Sequence, residues 1–271
     1  MNQIFKGTAM AGGNVSAALS CDILNVYNGT LLHQFMQYGR HSTKYFHACF
    51  TGANTAKQWR QCAVNMANVC RQNYKATAVK TIRLTMTRAL EAMRKDPKVR
   101  VVHLVRDPRA VLLSRSRMGF ANFSNLQLEA SLLCERLWED LDNAPAPGDS
   151  LKARYLLVRY EDIAAVPLNH TYHLYRFMGL QPSPEMVEGV RRMMATAKKT
   201  KRCPTCPSTP LNSTEVAQAW RQTLTFEQVR IISKECADVM RRLGYRENFE
   251  NEKQLRDVSM SAVRPVTVVD S

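Results

Sequence analysis

The sequence has no apolar run long enough to cross a bilayer and no apolar secretory segment behind Met1. A membrane span within these 271 residues is therefore excluded. Internal repeats are also absent. The cysteine spacings match no zinc pattern, which argues against a structural metal. Basic residues are dispersed and form no RNP, KH or zinc-finger signature, so charge alone does not indicate a nucleic-acid-binding protein.

Acidic residues are outnumbered, because 38 Lys and Arg face 23 Asp and Glu and the net charge is +15. The partners should therefore be anionic, and nucleic acid, acidic glycans and a bisphosphate nucleotide all meet that condition. The length suffices for one α/β domain with a sizeable core. We expect this domain over 1–249, with a cysteine-containing insertion at 39–75 and a polar, disordered tail at 250–271.

The most informative stretch lies between residues 99 and 117. Its apolar, β-branched run Val101–Val105 predicts a buried strand, and Asp107 can cap a helix that begins at Pro108. A helix N-terminus beyond the carboxyl end of a parallel strand attracts anions, and the planar guanidinium of Arg106 suits phosphate. Ser114, almost two turns further, could reach the same anion. Alternatively, Arg106 and Asp107 form a solvated pair and Ser114 is an ordinary helix residue.

Strands and helices alternate on both sides of this stretch, which predicts a parallel sheet. A second strand is expected at 75–82 and a third at 151–158, with helices at 83–95, 126–142, 167–178, 184–197 and 226–243. At the end of the third strand, the acids of Arg159-Tyr-Glu-Asp162 are either general bases or part of a salt-bridged loop that supports the sheet. The second interpretation is favoured.

Cysteines and glycosylation sequons indicate an oxidising compartment. Disulfides are expected within the insertion, with Cys21 as a further candidate partner for Cys49, Cys62 and Cys70. Cys203 and Cys206 follow a basic cluster at 198–202 and form either a small disulfide loop, two free thiols or a redox pair. Five N-x-S/T sequons are present, against about two expected by chance. They begin at Asn14, Asn28, Asn122, Asn169 and Asn212. A lumenal protein is therefore expected.

The run RDPRAVLLSR at 106–115 resembles the donor 3′-phosphate-binding segment of carbohydrate sulfotransferases. The resemblance is closest to the Golgi family that transfers sulfate from PAPS to the 6-hydroxyl of galactose, GalNAc or GlcNAc. Further segments resemble that family in the same order, namely AVKTIRLTMTRAL at 78–90, RYLLVRYEDIAAVP at 154–167, LYRFMGL at 174–180, AWRQTL at 219–224 and ECADVMRRLGY at 235–245.

This resemblance implies a fold, a donor site and an acceptor. The fold would be α/β, with the three-layer parallel sheet of P-loop-type PAPS sulfotransferases. Arg106 and Ser114 would bind the 3′-phosphate of PAPS, and no metal is expected. The remaining residues of the donor segment are Asp107, Pro108 and Arg109, and the candidate substrate-binding residues are Lys80, Arg83, Trp220 and Arg221. The resemblance does not identify a catalytic base.

The resemblance also implies the Golgi, and a glycan acceptor of keratan, chondroitin or N-acetyllactosamine type rather than nucleic acid. Membrane attachment would come only from an N-terminal anchor that is missing here. The family's first strand and Gly/Ser-rich phosphosulfate loop have no clear counterpart, and Phe5–Gly13 is only a remote candidate. We therefore expect an N-terminally truncated sulfotransferase. The alternative is a catalytically impaired relative that only binds nucleotide or anionic glycan.

Overall fold

A computed structural model describes residues 15–22, 49, 51–73, 75–82, 84–197 and 213–264. The chain divides into two compact units, one that ends at Lys95 and one that begins at Asp96. The single domain over 1–249 that the sequence leads us to expect stays a prediction. The boundary follows a helix whose last turn carries Arg94 and Lys95, immediately before Asp96-Pro97, where the polar chain turns toward the first strand.

The first unit contains helices α1 (Val15–Leu19), α2 (Ala56–Asn73) and α3 (Met86–Lys95). Disulfide bonds join Cys21 to Cys70 and Cys49 to Cys62, so the disulfides predicted for this region are confirmed. The sequence predicts no helix within the insertion at 39–75, whereas the 18-residue helix α2 occupies residues 56–73.

A capping box at the start of α2 could have revealed this helix in the sequence. The Thr55 hydroxyl accepts the Gln58 N–H at 3.2 Å, and the Gln58 side chain accepts the Thr55 N–H at 3.1 Å. This reciprocal pair is the Thr-x-x-Gln signature of a helix start. The capped helix then buries Ala63 and Met66.

The strand predicted at 75–82 is wrong. Within this segment, Val79 occupies a single bridge position, and the following helix α3 begins at Met86 rather than at 83. The residues of this segment are exposed or half-buried. The β-branched composition favours an extended backbone, but a strand needs consecutive paired residues, and in this segment the pairing is limited to Val79.

The second unit is built on two parallel strands, β1 (Val101–Val105) and β2 (Tyr155–Arg159). Their register pairs Val101 with Tyr155 and continues to Val105 with Arg159. The helices α4 (Pro108–Arg117) and α5 (Leu126–Asp142) connect them, as a parallel pair requires. The predicted α/β class with parallel pairing is confirmed. In the described part of the chain the sheet has these two strands, and the larger three-layer sheet stays a prediction.

Helices account for most of the remaining chain. The predicted helix at 226–243 is divided at Cys236, whereas those expected near 167–178 and 184–197 form with nearly the predicted bounds. The elements after β2 are α6 (Tyr160–Ala165), α7 (Pro167–Phe177), α8 (Pro184–Ala197), α9 (Ser213–Gln218), α10 (Trp220–Thr223), α11 (Phe226–Glu235), α12 (Ala237–Arg242) and α13 (Glu252–Arg256). Short 3-10 turns precede α5 and β2 at Phe123–Asn125 and Lys152–Arg154.

The core of the second unit lies between α4, α5 and α11. Leu112, Ala130 and Ile232 are fully buried within one apolar cluster. A disulfide bond between Cys134 and Cys236 joins α5 to the break between α11 and α12. The sequence gives no local sign of this bond, because its cysteines lie 102 residues apart on different helices.

The C-terminal segment up to residue 264 is packed against Arg221, so the predicted disorder is wrong for residues 250–264. Arg221 is fully buried, and its guanidinium donates hydrogen bonds to backbone carbonyls. The acceptors lie 2.6–3.2 Å away and belong to Gln254, Leu255, Asp257 and Met260. This segment is held mainly by hydrogen bonds to its backbone and has few buried apolar side chains, such as Leu255. Its composition is therefore polar, and for that reason it suggested disorder.

We predict that Arg221→Leu lowers the free energy of unfolding by about 3 kcal/mol, because several carbonyls lose their donor at once. It should also speed proteolysis after Lys253 and Arg256. Denaturant unfolding and limited tryptic digestion measure the two effects. Arg230→Leu is the control, since Arg230 is exposed and pairs only with Glu227 on the surface. Equal stabilities of the two variants would contradict the anchoring role of Arg221.

Candidate functional site

The carboxyl end of β1 leads directly into the start of α4. Asp107 is the N-cap, its Oδ1 accepts the Arg109 N–H at 2.9 Å, and Pro108 is the first helical residue. The strand, cap and helix bounds predicted from sequence are therefore confirmed. This arrangement places the Arg106 side chain where the chain leaves a parallel strand, the edge at which α/β proteins bind ligands.

Asp107 and Arg109 form a buried ion pair. Asp107 is 1% exposed and Arg109 is fully buried, and two charge-assisted hydrogen bonds of 2.9 and 2.7 Å join them. The Arg109 guanidinium also donates to the Ser233 hydroxyl at 3.3 Å and lies 4.1 Å from the centre of the Trp220 ring. The Arg109 side chain is thus directed into the interior, where the ion pair holds the turn.

Most backbone donors at this helix start are already used. The Asp107 N–H donates to the Glu161 carboxylate at 3.1 Å, the Arg109 N–H bonds to the cap, and Pro108 has none. The Asp107 and Arg109 N–H groups, two of the donors expected to be free at this helix start, are consequently satisfied within the protein. Recognition of an anion here depends on side chains and on the helix dipole.

Arg106 is partly exposed at this edge, and the described residues use only part of its guanidinium. One guanidinium nitrogen donates to the Val216 carbonyl at 3.0 Å, and the group lies 4.5 Å from the centre of the Tyr160 ring. Burial raises the pKa of the Tyr160 phenol, which keeps the ring neutral beneath the cation. Arg106 Nε is buried and has no hydrogen-bond partner among the described residues. An unsatisfied buried donor of this kind is costly unless a ligand accepts from it.

Ser114 lies on the exposed surface of α4, and its hydroxyl makes no hydrogen bond to the described part of the chain. It follows Asp107 by seven residues, so both lie on the same side of the helix. The rise from Pro108 to Ser114 is about 9 Å. Contact of both residues with one phosphate therefore requires the long Arg106 side chain to reach along the helix toward Ser114.

Glu161 lies in the first turn of α6, directly after the neighbouring strand β2, and supports the turn between β1 and α4. One carboxylate oxygen accepts the Asp107 N–H, and the other accepts the Tyr245 hydroxyl at 2.8 Å. Burial, followed by the negative charge of Asp107, raises the pKa of the Glu161 carboxyl above its ordinary value of 4.5. Sequence reasoning missed this contact, although parallel pairing places the residues after β1 and β2 at the same sheet edge.

Arg159 and Asp162 form the salt bridge that the sequence favours, but it joins the end of β2 to the first turn of α6 rather than lying in a loop. The two hydrogen bonds of this pair measure 2.7 and 2.9 Å, and Arg159 also donates to the carbonyls of Leu243 and Arg264. A cavity of about 280 Å³ lies beside this ion pair. Its polar lining includes Asp107, Glu161, Asp162, Thr214, Gln218 and Arg264.

The other predicted site residues lie in different settings. Trp220 is 2% exposed, packs on Arg109 and also lines the cavity, whereas Arg221 is fully buried and anchors the C-terminal segment. Their contact with an acceptor stays a prediction. Lys80 is exposed and belongs to the first unit. Several further predictions fall outside the described residues, namely those on Phe5–Gly13, Arg83, the basic cluster at 198–202, Cys203 and Cys206.

The described residues contain no group of three His, Cys, Asp or Glu side chains that could hold a metal ion. Among the same residues, no helix combines the length and apolar character that a bilayer crossing requires.

Comparison with known proteins identifies the family. Residues 19–244 match the Sulfotransferase domain family. This chain belongs to the sulfotransferase family. Carbohydrate sulfotransferase 2 of Mus musculus is 30% identical over 236 residues, which cover 72% of this chain and 44% of that protein. Carbohydrate sulfotransferase 6 of Homo sapiens is 30% identical over 227 residues, which cover 76% of this chain and 56% of that protein.

A third relative, carbohydrate sulfotransferase 5 of Mus musculus, is 31% identical over 214 residues, or 71% of this chain and 53% of the mouse protein. The chain thus spans about half the length of the curated relatives it matches. The resemblance to carbohydrate sulfotransferases inferred from the sequence is confirmed. The matched range includes β1, α4 and β2, and therefore the whole Arg106 turn of this sulfotransferase-family chain.

We predict that Glu161→Gln removes a pH-dependent part of stability. Because the folded carboxyl holds its proton to a higher pH than the unfolded one, stability falls as pH rises from 4.5 through the raised value. Glutamine does not titrate, so the fall in unfolding free energy between pH 4.5 and neutrality should be smaller in this variant. The exposed Glu227→Gln is the control. Parallel curves for wild type and Glu161→Gln would contradict the raised pKa.

Proposed function

We propose that this chain binds the sulfate donor PAPS and belongs to an enzyme that sulfates the 6-hydroxyl of galactose, GlcNAc or GalNAc in a glycan. The observation that carries the proposal is the Arg106 turn, where a guanidinium with a buried, unpartnered Nε lies at the carboxyl end of a parallel strand. Membership of the sulfotransferase family and the similarity to carbohydrate sulfotransferases support the donor and the acceptor class.

Arg106 and Ser114 are proposed to bind the 3′-phosphate of the donor. A guanidinium suits phosphate because its N–H groups can donate to two oxygens at once. The buried Asp107–Arg109 pair neutralises its own charges, so Asp107 does not leave an uncompensated anion at the binding edge. Asp107, Pro108 and Arg109 accordingly shape the turn, whereas Arg106 and the exposed Ser114 are the groups that contact the ligand.

In the proposed reaction the acceptor hydroxyl oxygen forms a bond to sulfur while the bond from sulfur to the phosphate oxygen breaks. Holding the 3′-phosphate fixes the donor relative to the acceptor, and positioning of this kind supplies much of such a catalytic effect. The donor contributes the sulfuryl group, adenosine 3′,5′-bisphosphate leaves, and the proton of the acceptor hydroxyl is released to the medium. The larger parallel sheet expected for this family would place the remaining donor contacts.

The compartment proposed for this activity is the Golgi lumen. Three disulfides in the described part of the chain, including the buried Cys134–Cys236 bond, favour an oxidising compartment. The net charge of +15 suits an anionic nucleotide and an acidic glycan. The proposed acceptors are glycans of keratan, chondroitin or N-acetyllactosamine type.

Arg106→Ala should weaken binding of adenosine 3′,5′-bisphosphate by about 10- to 100-fold, the value of a charge-assisted hydrogen-bond pair. Calorimetric titration of the purified chain measures this change. Arg117→Ala is the matched control, because Arg117 lies in the last turn of the same helix and its loss changes the net charge equally. We expect this control to bind nearly as well as wild type.

A second titration with adenosine 5′-phosphate identifies the phosphate that Arg106 contacts. This nucleotide lacks the 3′-phosphate, so it should bind wild type more weakly, and Arg106→Ala should weaken it little further. Equal losses for both nucleotides would move the contact to another part of the ligand. Unchanged affinity of Arg106→Ala for the bisphosphate would refute the proposed site.

A further inference from the structure

The loop between α4 and α5 lies beyond the end of α4 opposite to Arg106. We propose that Asn122 in this loop is an N-glycosylation site whose first sugar covers the exposed ring of Phe120. This inference rests on the lumenal location given under the proposed function. It concerns a different surface from the donor site, since α4 separates Arg106 from the loop by ten residues.

Asn122 has the conformation in which a sequon can be recognised. It is exposed, its backbone is extended with φ −101° and ψ 110°, and its Oδ1 accepts the Ser124 N–H at 3.0 Å. This Asx turn brings the Asn amide and the backbone of the Ser together. The Asn122 N–H donates to the Glu129 carboxylate at 3.1 Å, whereas its Nδ2 makes no hydrogen bond to the described residues.

The modification requires a lipid-pyrophosphate-linked oligosaccharide and an external transferase. A bond forms between Asn122 Nδ2 and C1 of the first sugar, and the bond from C1 to the pyrophosphate oxygen breaks. Nδ2 loses one proton, and the lipid pyrophosphate is the leaving group. Because Nδ2 is exposed and unbonded, no contact within the described protein is lost when the glycan is attached.

Phe120 gives independent support for a covering group. Gly119, at φ +72°, ends α4 with hydrogen bonds from the Gly119 N–H to Ser116 and from the Phe120 N–H to Arg115. This C-terminal cap fixes the direction of the chain, yet Phe120 is 62% exposed and Met118 is 65% exposed. Phe120 precedes Asn122 by two residues, so the apolar face of a sugar on Asn122 can cover its ring and remove apolar area from water.

Asn169 provides a contrast within the same chain. It lies inside α7, and the Thr171 hydroxyl of its sequon donates to the Pro167 carbonyl at 2.8 Å. The helical backbone excludes the Asx turn, and the Thr hydroxyl is already bonded. In the folded protein, the Asn122 sequon is therefore the accessible one of these two.

The test directs the full chain into the secretory pathway of cultured mammalian cells with a cleavable signal peptide. Recovery from cell lysate and medium together does not depend on folding or secretion. Glycosidase treatment in heavy-oxygen water followed by peptide mass spectrometry marks each occupied Asn. We expect most of the Asn122 peptide to be marked, with higher occupancy than Asn169, and to lose the mark in Ser124→Ala. An unmarked Asn122 in chain marked at another sequon would overturn the proposal.

A second measurement addresses the contact with Phe120. Enzymatic removal of the glycans should lower the unfolding midpoint of wild type more than that of Phe120→Ala. Asn122→Gln, which cannot carry this glycan, should lack the part of the unfolding midpoint that the contact with Phe120 contributes. Equal shifts in wild type and Phe120→Ala would refute the contact with the ring. The added signal peptide directs the chain into the secretory pathway, and neither readout requires nucleotide binding or sulfate transfer. The outcome can therefore be distinguished from a failure of the proposed function.

Discussion

The buried ion pair between Asp107 and Arg109 is the interaction on which the rest of the second unit depends. It caps α4, fixes the exit of β1 and supports the Trp220 ring in one contact network. Removing one member would leave the other charged and buried, which costs about 3–5 kcal/mol. The same pair explains why Arg109, in the segment proposed to bind phosphate, faces the interior. The pair sets the geometry in which Arg106 remains available.

A division of roles between neighbouring residues follows from this constraint. Arg109 and Arg221 are fully buried and hold backbone and aromatic groups, whereas Arg106 keeps a donor without a partner in the described chain. Glu161 connects the two strands at the same edge by accepting the Asp107 N–H. Buried charged residues thus position Arg106, the residue proposed to bind the ligand. A basic residue in the motif does not for that reason lie on the surface.

Local signals in the sequence predicted β1, the Asp107 cap and α4, because each depends on residues within one or two turns. The burial of Arg109 and Arg221 could not be predicted in this way. The groups of α10 and α11 that cover Arg109, and the carbonyls after Phe249 that accept from Arg221, are distant in the sequence. The Cys134–Cys236 bond is likewise a consequence of helix packing. The strand, cap and helix of the candidate segment could therefore be predicted, whereas its role as a donor site stays a prediction. The orientation of its side chains required the tertiary structure.

The most direct test of the account follows the Arg106 Nε–H signal by nitrogen-resolved NMR during titration with adenosine 3′,5′-bisphosphate. The signal is assigned by its loss in Arg106→Lys. If the unpartnered Nε binds the 3′-phosphate, its proton resonance should move downfield and its exchange with water should slow, with saturation at the calorimetric affinity. A saturating titration that leaves this signal unchanged, while other resonances move, would place the nucleotide elsewhere and contradict the account.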